Sequence, residues 1–305
     1  MSKSRLLRAA AGILVALVGA LSLTGCSEKP RWSEGSGPIK IVASTNVWGD
    51  IAYQIAGDIA TVDALIYDQN QDPHSFEASA RDQLLIENAD IVIMNGGGYD
   101  DFVEKLVEAD ETPAILINAY VASGTDDTRN EHIWYSASQV KDVANVIFSA
   151  LETVDDSNRG TFEANLAEFE AQIKVIQIRT SEIAGAWGGS KVFATEPLIH
   201  YLLEDTGMID VTPVEFSEAI EEERDVSASV LAQAKDAAKQ AKFIAVNMST
   251  TTKQIDEILA GAPNVAHWGF SELLPQDPDT GEYTGDYFEM ITMALDSLVE
   301  GVRPR

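Results

Sequence analysis

Asp156-Ser157-Asn158-Arg159-Gly160-Thr161-Phe162-Glu163-Ala164-Asn165-Leu166-Ala167-Glu168-Phe169-Glu170-Ala171-Gln172-Ile173-Lys174-Val175-Ile176 opens a stretch that runs to Gly185 without a proline. Before Gly185 its lone glycine is Gly160. The apolar residues Phe162, Leu166, Phe169, Ile173 and Ile176 are spaced four, three, four and three apart, the period of one helical face. The spacing predicts a single helix over 156–186. At 1.5 Å per residue it would reach roughly 40 Å, longer than most helices of globular domains. A connector spanning two lobes is the economical reading.

On either side of this helix the pattern changes. Short apolar runs at 39–43, 61–66, 90–94 and 114–118 read as strands, with helical stretches near 47–56, 79–88 and 99–109. After Gly188-Gly189 the alternation restarts with strand-like runs at 191–195, 242–247 and 264–268, and a last helix covers 287–302. Such alternation implies parallel sheets covered by helices. The fold class is therefore α/β: two lobes with parallel sheets, 39–155 and 187–305, joined by one long rigid helix. A crevice lies between the lobes.

Upstream of the first lobe, Lys3, Arg5 and Arg8 precede an apolar run over 9–23. That run is shorter than the roughly 20 residues of a membrane span and has the basic start of a secretory signal. Leu23-Thr24-Gly25-Cys26 resembles the bacterial lipobox, in which the cysteine is acylated and becomes the first mature residue. Residues 1–25 thus read as signal peptide, Cys26 as the lipidation site and 26–38, rich in Ser, Gly and Pro, as a flexible tether. The expected location is extracytoplasmic, with a lipid anchor in the cell membrane. Cys26 is the single cysteine, so no internal disulfide is available and the core must hold the fold.

Asp and Glu number 49 against 21 Lys and Arg, a net charge of −28, and removing residues 1–25 takes away three positive charges and no negative ones. This field disfavours nucleic acid and anionic head groups and favours cations. Two of the four histidines stand in unusual settings. In Gln71-Asp72-Pro73-His74-Ser75-Phe76-Glu77, Pro73 fixes its own φ and pushes Asp72 toward extended backbone, presenting His74 from a stiff turn. The other lies in Glu131-His132-Ile133-Trp134-Tyr135, just before a helix that starts near Ser136. Glu196 follows a strand and precedes Pro197, at the mouth of a sheet where ligands of open α/β folds bind. Glu272 follows a strand in Gly269-Phe270-Ser271-Glu272-Leu273-Leu274-Pro275, where spacing alone makes it an exposed loop acid. Asn95-Gly96-Gly97-Gly98 reads as a turn, since no Gly-Lys-Ser/Thr follows it. The acid-rich run 218–225 reads as a solvated face. No Ser/His/Asp or Cys/His arrangement stands out.

Asp72-Pro73-His74-Ser75-Phe76-Glu77-Ala78-Ser79, then Asn88-Ala89-Asp90-Ile91-Val92-Ile93-Met94-Asn95-Gly96, then His132-Ile133-Trp134-Tyr135 resembles the zinc and manganese solute-binding lipoproteins of bacterial metal ABC transporters. The likeness covers nearly all of the mature chain, long helix included, and is looser in the C-terminal half. It implies one metal ion held in the crevice by two ligands from each lobe. The first-lobe ligands then fall on His74 and His132, the third on Glu196, and the fourth, an acid in a Phe-Thr-Asp-Ser-like loop, on Glu272. His200 competes for the third place from one helical turn beyond Glu196, and His267 for the fourth beside Trp268; both are given supporting or packing roles.

Two histidines and two carboxylates suit Mn2+ well and Zn2+ tolerably. The histidine-rich loop of many zinc carriers is missing from this sequence, which tips the balance slightly to manganese, while zinc binds most such sites more tightly. The resemblance implies a monomeric carrier that captures the ion and passes it to an ABC permease with no chemical turnover. The alternatives are a metallohydrolase using the same ligands, for which no general base can be named, and an adhesin in which the metal is structural.

Overall fold

The structure, a computed structural model, describes residues 37–69, 71–110, 112–125, 130–277 and 283–304. The expected signal peptide, Cys26 and the tether as far as residue 36 lie outside the described residues. No helix among the described residues is long and apolar enough to cross a membrane.

The first sheet contains β1 (Ile39–Thr45), β2 (Ala60–Ile66), β3 (Ile91–Met94) and β4 (Ile115–Asn118) in the order β2-β1-β3-β4, all parallel. Its crossovers run through α1 (Asn46–Ala56), α2 (Ala80–Glu87) and α3 (Phe102–Asp110). The short α4 (Ala119–Ala122) follows β4, and α5 (Ala137–Val154) leads to the long helix α6 (Arg159–Trp187). The chain then forms β5 (Lys191–Ala194), α7 (His200–Asp205), β6 (Ile209–Asp210), α8 (Val214–Glu221) and α9 (Ala228–Ala238). It ends with β7 (Phe243–Asn247), α10 (Lys253–Gly261), β8 (Ala266–Phe270) and α11 (Tyr287–Val302). The second sheet, β6-β5-β7-β8, is also parallel and repeats the strand order of the first. Every strand read from the sequence is present. The one it lacked, β6, is two exposed residues with no apolar run to announce them.

Helix α6 buries Phe162, Leu166, Phe169, Ile173 and Ile176, the stripe read from the sequence, and extends it to Thr180 and Ile183. Its 29 residues span roughly 43 Å. It lies along α1 and α5 of the first lobe and along α11. Phe169, for example, packs against Tyr287 and Phe288 with ring centroids 6.3 and 4.9 Å apart. The apolar core does not stop at the lobe boundary. One cluster of buried residues runs from Ile41 and Ile51 through the α6 stripe to Val192, Phe243 and Leu295.

Polar ties also cross between the lobes. The Tyr287 hydroxyl donates to the Trp134 carbonyl at 2.9 Å, Tyr135 to the Ser271 carbonyl at 2.7 Å, and the Leu274 amide to Asn46 Oδ1 at 3.1 Å. Parting the lobes widely would expose shared apolar surface at about 25 cal/mol per Å2. Access to the crevice therefore falls to loops and side chains at its mouth.

Candidate metal centre

The carboxyl ends of both sheets face one crevice, and each residue nominated from the sequence follows a strand end. His74 lies in the loop after β2, His132 in the segment after β4, Glu196 after β5 and Glu272 after β8. His74 is at the mouth, whereas His132, Glu196 and Glu272 are buried. Pro73, as its ring constraint requires, opens a single 3-10 turn (Pro73–Ser75). Asp72 Oδ1 accepts from the His74 amide at 2.9 Å, which fixes the turn.

His132 is oriented by a neighbour that no motif or spacing marks. Asn130 Oδ1 lies 3.1 Å from His132 Nδ1 and accepts from the His132 amide at 2.9 Å. Asn130 is itself held from the second lobe, donating to the Pro197 carbonyl at 2.8 Å and accepting from the Tyr201 hydroxyl at 2.8 Å. With Nδ1–H committed to Asn130, the neutral ring turns the lone pair of Nε2 toward the crevice, an arrangement common to metal-binding histidines.

Both imidazoles converge on a residue outside the nominated set. Glu221 Oε1 is 3.2 Å from His74 Nε2 and 3.2 Å from His132 Nε2, and Glu131 Oε1 is 3.5 Å from His74 Nε2. The reading of 218–225 as a solvated face needs correction here. Residues 222–225 are exposed, but the Glu221 side chain is only 10% exposed, because α8 buries Phe216 and Ile220 and ends with Glu221 turned to the crevice. Glu131 had a visible signal, being adjacent to His132; Glu221 had none beyond its acidic neighbours.

The structure brings Glu196 and Glu272 together through Asn247, the last residue of β7. Its side-chain Nδ2 donates to Glu196 Oε2 at 2.5 Å and to Glu272 Oε1. Glu272 Oε2 also accepts from the Tyr99 hydroxyl of the first lobe at 3.1 Å. Tyr99 is placed by the glycine turn after β3, where Gly96, Gly97 and Gly98 all have positive φ. At Gly96 a Cβ would lie 2.3 Å from the Asn118 side chain, so glycine is required there. Glu196 and Glu272 border a cleft of about 420 Å3 that Asp72, His74, Glu221 and Thr250, among others, also line.

The two remaining histidines do not support the site as the sequence suggested. Residues 197–199 form a 3-10 turn and Glu196 keeps an extended backbone ahead of it, so the shared helical face expected for Glu196 and His200 does not exist. His200 instead pairs with Glu204 at 3.4 Å and lies edge-on to Tyr201. His267 is exposed on edge strand β8, on the face opposite Trp268, rather than packed.

Charge coupling follows the geometry. Burial disfavours protonated His132, but the Glu221 carboxylate more than offsets it and lifts the imidazole to about 9. His74 rises to about 8 through the same opposition of burial and Glu221. Burial pushes Glu221 up, yet the two imidazolium charges hold it down to about 2. Glu196 is raised to about 7 by burial and by Glu221, and Glu272 is raised by burial in the same field. The crevice therefore concentrates more carboxylate than its own side chains neutralise.

The family model described as zinc-uptake complex component A, periplasmic (ZnuA), matches residues 41–301. The chain belongs to this family. Iron-binding protein YfeA of Yersinia pestis is 24% identical over 217 residues, 68% of this chain and 70% of that protein. Manganese-binding lipoprotein MntA of Bacillus subtilis (strain 168) is 23% identical over 269 residues, 84% and 86% of the two chains. The solved structure of the SBP FpvC from Pseudomonas aeruginosa in complex with Mn2+ shares the fold, with a TM-score of 0.71 at 22% identity, over 87% of this chain and 98% of that one. The resemblance read from the Asp-Pro-His and His-x-Trp elements thus holds at the level of the zinc-uptake component A family. The protein is a member of a family of periplasmic metal-uptake components.

Proposed function

We propose that this chain captures a divalent transition metal ion, Mn2+ or Zn2+, in the crevice between its lobes and delivers it to an ABC permease for import, as a lipid-anchored monomer. In this reading His74 and His132 of the first lobe and Glu196 and Glu272 of the second are metal ligands. The observation that carries it is a set of buried donor atoms left without hydrogen-bond partners in one crevice: His132 Nε2, Glu196 Oε1 and Glu221 Oε2. Each such group costs about 1–3 kcal/mol when left unmet. A cation held in the crevice would supply partners for such atoms.

The relatives named for iron and manganese, and the zinc-uptake family itself, support the same class of cargo. The mixed imidazole and carboxylate donors suit Mn2+ somewhat better than a zinc site rich in nitrogen or sulfur would. Transport distinguishes this function from a metallohydrolase or an adhesin. Cells lacking the protein should accumulate less Mn2+ or Zn2+ from limiting medium, and wild-type protein, but not His74→Ala, should restore uptake. Equal uptake with and without the protein would overturn the transport role. The anchor is tested separately: Cys26→Ser should move the protein from the membrane to the soluble extracytoplasmic fraction, and retention on the membrane would refute acylation at Cys26.

A further inference from the structure

Four carboxylates border the two histidines, and they do not stand in equal relation to them. Glu196 and Glu272 are tethered to each other through Asn247, and Glu272 also to Tyr99. Glu221 alone reaches both imidazoles, with one oxygen 3.2 Å from each Nε2. Among the described residues, donor atoms of His74, Glu131 and Glu221 all lie within 4.8 Å of one another, the grouping expected of side chains around one ion. At metal–ligand bonds of about 2.1 Å, donors 3.2 Å apart subtend about 100° at a shared ion, between the octahedral and tetrahedral angles. The 3.5 Å separation of His74 and Glu131 corresponds to about 110° on the same basis.

The His132 contact is close without being a hydrogen bond. His132 is fully buried, and its Nε2 has no hydrogen-bond partner although Glu221 Oε1 lies 3.2 Å away. Nor does local structure explain the carboxylate. Glu221 ends α8, where the helix dipole disfavours an anion. The turn that follows closes with Glu223 at a φ of 50°, a conformation rarely adopted by residues other than glycine, and hydrogen bonds from the Glu223 and Arg224 amides back to Ile220 and Ala219. That strained cap stops the helix with Glu221 at the crevice.

We propose that Glu221 is itself a ligand of the captured ion, joining His74 and His132 from the second lobe. The inference rests on the metal-carrier reading above and deepens it. A third carboxylate makes the donor set harder, which favours Mn2+ over Zn2+. The test is Mn2+ affinity measured by competition with a fluorescent chelator on the whole folded mature chain. Glu221→Gln keeps the shape and removes the charge, and should weaken Mn2+ binding at least tenfold. Glu221→Asp retracts the carboxylate by one methylene and should weaken it as well, so it serves if the Gln variant does not fold. Glu222→Gln, on the exposed neighbour, should stay within about twofold, the spread of a surface substitution. Unchanged or tighter Mn2+ binding in Glu221→Gln would overturn the proposal, since the carboxylate would then only neutralise the histidines in the metal-free protein. The parent reading fails separately, if wild type and His74→Ala bind Mn2+ alike.

Discussion

His132→Ala should abolish the rise in melting temperature expected of the wild-type protein with Mn2+. An ion that binds only the folded state stabilises it by about 2.7 kcal/mol at a hundredfold excess over its Kd, worth about 5–10 °C for a chain of this size. Without the His132 nitrogen the shift should fall to near zero. The same substitution takes from Glu221 one of its two ion-pair partners, the buried one. A buried carboxylate deprived of a partner destabilises the metal-free protein too. His74→Ala is the cleaner companion, because His74 lies at the mouth with its side chain 29% exposed; it should lose the metal shift at a smaller cost to the metal-free fold. His200→Ala should retain the shift, since that ring is engaged with Glu204 and Tyr201. A full shift in both His74→Ala and His132→Ala, read by differential scanning calorimetry, would remove these residues from the site.

A comparably large effect is expected from pH. In the metal-free protein the imidazoles hold their protons up to about 8 for His74 and 9 for His132, and Glu196 holds one up to about 7. A metal ion must displace those protons. Between pH 8 and pH 6 the apparent Mn2+ affinity should therefore fall by about a thousandfold or more, with proton release visible by calorimetry in buffers of different ionisation enthalpy.

Stability of the metal-free protein should move the other way. The histidine pKa values are raised on folding, so their contribution is complete below about 6.5 and is lost as pH rises through 8 and 9. Raised Glu196 weakens the fold further as pH rises from its ordinary value near 4.5 to about 7. Glu221 is depressed, so its contribution is lost only as pH falls from 4.5 toward 2. Melting curves of the metal-free and Mn2+-loaded forms should accordingly diverge as pH rises from 6 to 8. Parallel curves would mean that binding displaces no protons from these groups.

The scaffold was readable because burial in it follows a period. The α6 stripe shows in the spacing of Phe162 to Ile176, and the strands show as apolar runs. What α6 packs against is not encoded in that spacing, so the core shared by the two lobes became visible only in three dimensions. Within the site, His74 was legible through Asp72 and Pro73, which stiffen a turn by local chemistry. Glu196 was legible as an acid at a strand end. Glu221 was not, because its partners His74 and His132 lie far off in the sequence and its neighbours form an acid run indistinguishable from a solvated surface. The His200 reading failed for a local reason: three residues of 3-10 helix replaced the α-helical turn on which the i, i+4 argument depended.

The central claim, that this crevice holds one transition metal ion, is tested most directly by the anomalous scattering of crystals grown with Mn2+. The account predicts a single strong peak within about 2.2 Å of Nε2 of both His74 and His132, with carboxylate oxygen from the second lobe completing its coordination. An empty crevice, or a peak on the exposed acids of 222–225 alone, would contradict it.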